Sequence, residues 1–243
     1  FSLVSGKFGI RIHVGLHYPD SPATRKTCQN GFYHFRALYP ELVREHLYSI
    51  YALGKTDAQG NPSKSTEVEF RKIYDEFGHK GEVKPDSLGY SDQVIAAFNV
   101  EEPSAIVGEE LRRIFEGYLE DAKVEVRCGV KVTSLIKEGP RIRVIGEGVD
   151  EVFDHVINTT GYTDLLPKQV SLPFNTEFVY QPCIALVYQD LTPDPSGKPF
   201  SLIIMNGAFG CIMPLATDLN SPVEEYILTH GLWTILDSLK SPA

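Results

Sequence analysis

Phe153-Asp-His-Val-Ile-Asn-Thr-Thr-Gly-Tyr162 is the stretch on which the fold turns. It reads as a buried strand that stops in two small hydroxyl residues and a glycine. In open α/β sheets, ligands bind beyond the carboxyl ends of the strands. Backbone N–H groups freed at such an end can meet a phosphate. Taken alone, the phrase also fits a plain strand-to-turn stop, and its surroundings narrow the choice. Leu111, Ile114, Phe115, Tyr118 and Ala122 share one face of a helix predicted over residues 108–122. An alternating strand over 123–129 and further strands at 130–136, 141–145 and 152–158 follow. The last two are joined by the polar turn Gly146-Glu-Gly-Val-Asp150. A helix packed on a sheet, followed by a β-meander, gives an α/β (α+β) fold.

Working outward, residues 24–47 read as helical, interrupted at Asn30-Gly31 and at Pro40. Tyr48 to Leu53 is an aromatic, alternating strand, and residues 54–64 form a polar turn. Ser65 to Phe77 is a second helix capped by Ser65 or Thr66, and Val94 to Val100 is a strand. Beyond Gly161, residues 175–191 and 199–214 are rich in Tyr, Val and Ile and flank a Pro/Gly turn, so they read as antiparallel strands. Residues 222–238, with Tyr226, Leu228, Leu232 and Trp233, read as a closing helix.

Composition sets outer limits. The chain has 243 residues, 42% hydrophobic and 23% charged, an ordinary globular balance with volume for one large domain or two small ones. A net charge of −9 argues against nucleic acid as a partner. No apolar run reaches the ~18 residues of a membrane span, and the first residues lack the pattern of a secretory signal. The chain starts without Met, in the middle of a strand-like phrase, and reads as a fragment. Cys28, Cys128, Cys183 and Cys211 form no C-x-x-C pair. A zinc site or redox dithiol is therefore not expected, and a reducing, cytoplasmic setting is. G-x-G-x-x-G, Walker A, G-x-S-x-G and H-E-x-x-H are all absent. His13 and His17 are four apart, but Gly15, Tyr18 and Pro19 speak against the helix that would make them a metal pair.

A second phrase carries chemistry: Gly9-Ile-Arg-Ile-His-Val-Gly-Leu-His-Tyr-Pro19. Glycine inside a β-like run often marks close approach of a backbone or a ligand. Arg11, His13, His17 and Tyr18 stand around these glycines and can donate hydrogen bonds into a groove. The same phrase also reads as a glycine-bulged edge strand with solvated polar residues.

Together these phrases resemble the D-amino-acid-oxidase-like family of FAD-dependent oxidoreductases. Val156-Ile-Asn-Thr-Thr-Gly161 is similar to the strand that closes the family's FAD domain after its meander. Gly129-Val-Lys-Val132 is similar to the segment passing the adenine. The Gly9–Pro19 phrase resembles the region beside the isoalloxazine, and Met205 to Pro214 the late strand pair of the substrate domain. The family's glycine-rich N-terminal βαβ unit has no counterpart here.

The resemblance implies a partial Rossmann-like FAD/NAD(P)-binding domain over 1–47 and 101–166, with an antiparallel-sheet substrate domain over 48–100 and 167–243. It implies FAD held by Gly9, His13, Gly15, Val132, Asn158, Thr159, Thr160 and Gly161. It also implies oxidation of a C–N or C–O bond in a small amino or hydroxy acid or an amine, with hydride passing to the flavin. Arg11, His17 and Tyr18 are the catalytic candidates: an Arg can clamp a carboxylate, and a His can serve as base. Tyr51, Tyr180 and Tyr188 are candidate walls of a substrate pocket. Two other readings stand beside this one. A degenerate oxidoreductase fold could serve as a binding or assembly module, and an α/β enzyme could modify nucleotide-sugars or glycans.

Overall fold

The computed structural model describes residues 10–57, 59–88, 92–160, 179–205 and 210–240. Its elements begin with β1 (Ile10–Arg11), α1 (Pro22–Leu38), β2 (Val43–Arg44), β3 (Tyr48–Gly54), α2 (Glu67–Phe77), β4 (Gly81–Glu82), β5 (Val94–Val100) and β6 (Ser104–Ala105). Next come α3 (Glu109–Asp121), β7 (Val132–Glu138), β8 (Arg141–Gly146) and β9 (Val149–Phe153). The last are β10 (Val179–Tyr180), β11 (Leu186–Gln189), β12 (Phe200–Met205), β13 (Gly210–Pro214), β14 (Glu225–His230) and β15 (Leu239–Lys240). The fold is mixed α+β. It divides into two compact units, residues 1–117 with 179–239 and residues 118–178 with 240–243.

The first unit is built on a seven-stranded sheet ordered β11-β14-β13-β12-β3-β5-β4. Strand β12 runs parallel to β3, and the other neighbours are antiparallel. β3 is buried on both faces, so apart from Ser49 its side chains are apolar or aromatic instead of alternating with exposed polar residues. Ile50 and Ala52 pack with Val94 and Ala97 on one side. Tyr51 and Leu53 pack on the other with Phe98, Ile203 and Met205. Helix α2 adds Phe70, Ile73 and Tyr74 to that second side, and the spacing places all three on one helical face. A smaller sheet, β1-β6-β2, lies in the same unit.

Thr66 caps α2. Its Oγ1 accepts from the Glu69 N–H at 3.2 Å, and the Glu69 carboxylate accepts from the Thr66 N–H at 2.9 Å. Thr66→Ala is expected to cost about 1 kcal/mol, read as a lower urea midpoint. An unchanged midpoint would mean that the cap contributes nothing.

Several expectations change. Residues 222–238 are not a helix; Glu225–His230 is strand β14. Its Ile and Thr suit a strand, and pairing with β13 and β11 decides the matter. The segments 175–191 and 199–214 do not pair with each other, because β14 and β13 lie between β11 and β12. Helix α1 runs unbroken through Asn30-Gly31, since a lone helical glycine costs only about 1 kcal/mol. Residues 123–129 form no strand: Lys123 adopts the left-handed conformation at φ 54°, and the N–H groups of Lys123 and Val124 close on the carbonyls of Glu120 and Leu119.

The second unit carries the expected meander, β7-β8-β9. Gly146 is required there, because a Cβ would lie 2.5 Å from the carbonyl oxygen of Lys131. The expected strand at 152–158 ends early, at Phe153. Phe153 pairs with Ile142, one residue from the start of β8 at Arg141, and beyond Arg141 the chain turns through Gly139 into β7, so residues after 154 have no partner on β8. Asn158 is exposed, and its Oδ1 accepts from the Thr160 N–H at 3.0 Å. Among the described residues no helix is long and apolar enough to cross a membrane, and the four cysteines are free.

Candidate functional site

Pairing of β1 with β6 sets the site. Ile10 lies opposite Ala105 and Arg11 opposite Ser104, and the Ile12 N–H donates to Pro103 O at 3.0 Å. The chain therefore runs alongside the end of β5, and the Val14 N–H reaches Glu102 Oε1 at 2.7 Å. Gly15 then turns the backbone at φ 104°. A Cβ there would stand 2.7 Å from Arg25 O and 2.9 Å from Arg25 Cα, so the close approach is to the backbone of α1. The Tyr18 N–H closes the turn on Gly15 O at 3.1 Å.

This turn delivers His13, His17 and Tyr18 to the wall of a cavity of about 690 Å³. The sheet supplies an apolar wall through Ile203, Met205 and Met213, and Asp20, Asp57 and Lys64 bring charge to its lining. That volume lies within the ~300–1,000 Å³ usual for small-molecule sites.

Behind the wall lies a buried polar cluster. Arg11 is 6% exposed, and its guanidinium nitrogens make no well-aligned hydrogen bond among the described residues; the Tyr51 hydroxyl is its polar neighbour. The group lies over the Tyr51 ring, 5.1 Å from its centre. Burial disfavours its charge, but Tyr51, Glu102 and Cys211 outweigh that and raise its pKa. The His17 ring is 5.3 Å from that of His13, and the His17 Nδ1 is buried without a hydrogen-bond partner among the described residues. Burial first, then His13 and Arg11, lower its pKa to about 4, so it is neutral at pH 7. The Tyr51 O–H donates to Glu102 Oε2. His13 Nδ1 lies 3.2 Å from Tyr51 Oη and 3.5 Å from Glu102 Oε2. Deeper still, His46 Nδ1 meets Ser49 Oγ at 2.8 Å and its Nε2 meets Ser104 Oγ at 2.9 Å. Burial, then Arg11, lowers the His46 pKa to about 3.

The structure thus brings Arg11, His13, Gly15, His17 and Tyr18 together. Tyr51 is wholly buried behind the cavity and touches it through His13. Tyr188 stacks on Tyr226 at 5.5 Å, in a cluster with Leu42 and Ile106. Tyr180 belongs to β10. Val132, Asn158, Thr159 and Thr160 belong to the second unit. Gly9 and Gly161 lie outside the described residues. Among the described residues, no cluster of three His, Cys, Asp or Glu could hold a metal.

Sequence reading missed Glu102 and His46. The signal for Glu102 was present. Ala96, Phe98 and Val100 share the buried face of β5, and a period of two carries Glu102 onto that face and leaves Glu101 outside.

The α+β arrangement is the fold of NikD, described as an unusual amino acid oxidase essential for nikkomycin biosynthesis. The open form of NikD matches with a TM-score of 0.66 at 16% identity, covering 98% of this chain and 61% of that one. A point mutant of NikD matches at 0.65 and 15% with the same coverage. Among curated proteins, the FAD-dependent monooxygenase kojA of Aspergillus flavus is 45% identical over 242 residues, 98% of this chain and 55% of that protein. The probable FAD-dependent monooxygenase kojA of Aspergillus oryzae gives the same figures. The FAD-dependent monooxygenase FPY4 of Fusarium mangiferae is 27% identical over 191 residues, covering 76% of this chain and 45% of its own length. The chain spans about half the length of the curated relatives it matches. No family model matches it.

Proposed function

We propose that this chain is the substrate-facing part of an FAD-dependent oxidoreductase of the D-amino-acid-oxidase-like group, acting on a small molecule in the 690 Å³ cavity. The carrying observation is Arg11, a buried guanidinium with no well-aligned hydrogen-bond acceptor among the described residues; it stands behind His13, which lines that cavity, and itself lines a second one of about 440 Å³. Buried donors are normally satisfied, and an orphaned one at a cavity is explained by a ligand that brings the acceptor. The flavin ring edge and a substrate carboxylate are both rich in acceptors, so the donors present fit either group. The 45% identical relatives support the flavin reading through their names.

FAD, when bound, supplies the two-electron acceptor for oxidation of a C–N or C–O bond. The chain's own residues do the rest. Arg11 meets an anionic or carbonyl oxygen through paired N–H bonds. His17, neutral at pH 7, stands at the wall without adding charge. Tyr18, partly exposed, closes the rim. Ile203, Met205 and Met213 keep water from one side. Val132, Asn158, Thr159, Thr160 and Gly161 are proposed for the adenosine side, and Gly9 for the isoalloxazine side. The division into FAD-binding and substrate parts follows the residue ranges given above.

The test has two arms. The purified protein should take up FAD and show a bound-flavin spectrum. Small amino acids, hydroxy acids and amines should then be screened for anaerobic flavin reduction. Against the substrate so found, Arg11→Met should lower kcat/KM by on the order of 10²-fold. Arg11→Lys should recover little of this, because a point charge does not replace a planar fork. A protein that takes up no FAD, or an Arg11→Met variant with undiminished turnover, would overturn the proposal.

A further inference from the structure

We infer that Glu102 and Tyr51 form a buried relay that fixes the tautomer of His13 and leaves its Nε2 as a proton acceptor at the cavity. The argument is an account of hydrogens. The Glu102 side chain is fully buried, so its carboxylate oxygens need donors. Oε1 receives the Val14 N–H. Oε2 receives the Tyr51 O–H. With that hydrogen committed, the Tyr51 oxygen faces His13 Nδ1 at 3.2 Å as an acceptor. Glu102 Oε2, at 3.5 Å, is an acceptor as well. Both atoms nearest Nδ1 accept, so Nδ1 carries its own hydrogen. A neutral imidazole has one N–H, and Nε2 is left with its lone pair.

His13 alone of the three can touch a ligand: its side chain is 29% exposed and lines the cavity. Glu102 and Tyr51 act through it and are positioning residues. His17 is not a base at neutral pH, since burial holds its pKa at about 4, and its Nδ1 is buried without a partner among the described residues. The reaction served rests on the flavoenzyme reading above. In it, an O–H or N–H bond of an alcohol or amine substrate breaks, an Nε2–H bond forms, and the electron pair stays on the substrate heteroatom. The imidazolium so formed keeps Nδ1–H directed at Tyr51 and the Glu102 carboxylate, which stabilises its charge.

The decisive measurement is nitrogen NMR of the full chain labelled with 15N-histidine, with the His13 signals assigned by their loss in His13→Gln. The unsubstituted chain should show Nδ1 protonated and Nε2 bare, and Glu102→Gln should populate both tautomers. A dominant Nε2–H form in the unsubstituted chain overturns the inference, as does an unshifted tautomer in a folded Glu102→Gln. If Glu102→Gln does not fold, the unsubstituted spectrum still decides. In flavin-loaded protein, Tyr51→Phe and Glu102→Gln should lower kcat, by up to on the order of 10²-fold, with KM little changed. A loss confined to KM would contradict a relay. Absence of turnover in the unsubstituted protein counts against the flavoenzyme reading alone, because the tautomer is measured without it.

Discussion

Gly15→Ala lowers the stability of the first unit by about 3 kcal/mol or more and disorders the turn between His13 and His17. Two costs add. The backbone sits at φ 104°, where L side chains are strained. The new Cβ also meets Arg25 O at 2.7 Å and Arg25 Cα at 2.9 Å. Both are backbone atoms, and Arg25 N donates to Ser21 O within the first turn of α1, so neither yields as a flexible side chain would. Gly60→Ala separates the costs. Gly60 has φ 84° but nothing within 4 Å of the added carbon, so it should lose only about 1 kcal/mol. Urea unfolding of the two variants measures the difference. Equal losses would show that the contact with Arg25 is not rigid.

Acid should weaken the protein well before its carboxylates titrate. Burial lowers the pKa of His17 to about 4 and that of His46 to about 3. In the unfolded chain both return to about 6.5. Folded-state values below the unfolded ones mean that the unfolded chain binds more protons as pH falls. The stabilisation is whole above pH ~6.5 and is lost on the way down, through about 4 for His17 and about 3 for His46. Each histidine contributes a slope of about 1.4 kcal/mol per pH unit once its unfolded form is protonated. Unfolding free energy followed from pH 7 to 4.5 should therefore approach the slope of two protons, and a His17→Asn variant should approach that of one. A flat profile over that range would mean that neither ring is buried as described.

Much of this was legible in the residues. β3, β5 and α2 announce themselves because local patterning and tertiary burial agree: Tyr51 and Leu53 face Phe70 and Tyr74, as the periods require. The Gly9–Pro19 phrase was singled out because two glycines and four hydrogen-bonding side chains interrupt a β-like run. What sequence could not separate was the origin of the glycine requirement, since at Gly15 the close neighbour is protein backbone. The β14 segment carries a helix-like signal in Tyr226, Leu228, Leu232 and Trp233, whereas long-range pairing decides its state. The Asn158 segment lost its strand for a similar reason: the length of β9 is set by where β8 turns. Glu102 was overlooked because two adjacent glutamates look alike until the register of β5 distinguishes them.

The parallel ladder between β3 and β12 has a kinetic consequence. Tyr48 pairs with Phe200 and Leu53 with Met205, so the centre of the sheet joins segments far apart in the sequence. Closing so long a loop delays the return of favourable contacts. On the ribosome, β5 follows β3 after α2 and β4 and can pair with it early. The other edge of β3 waits until residue 200 has been synthesised. Through that interval the nascent chain presents an apolar, unpaired strand of the kind that recruits neighbours. Yield of native protein should therefore depend on how quickly, and in what company, the late strands arrive.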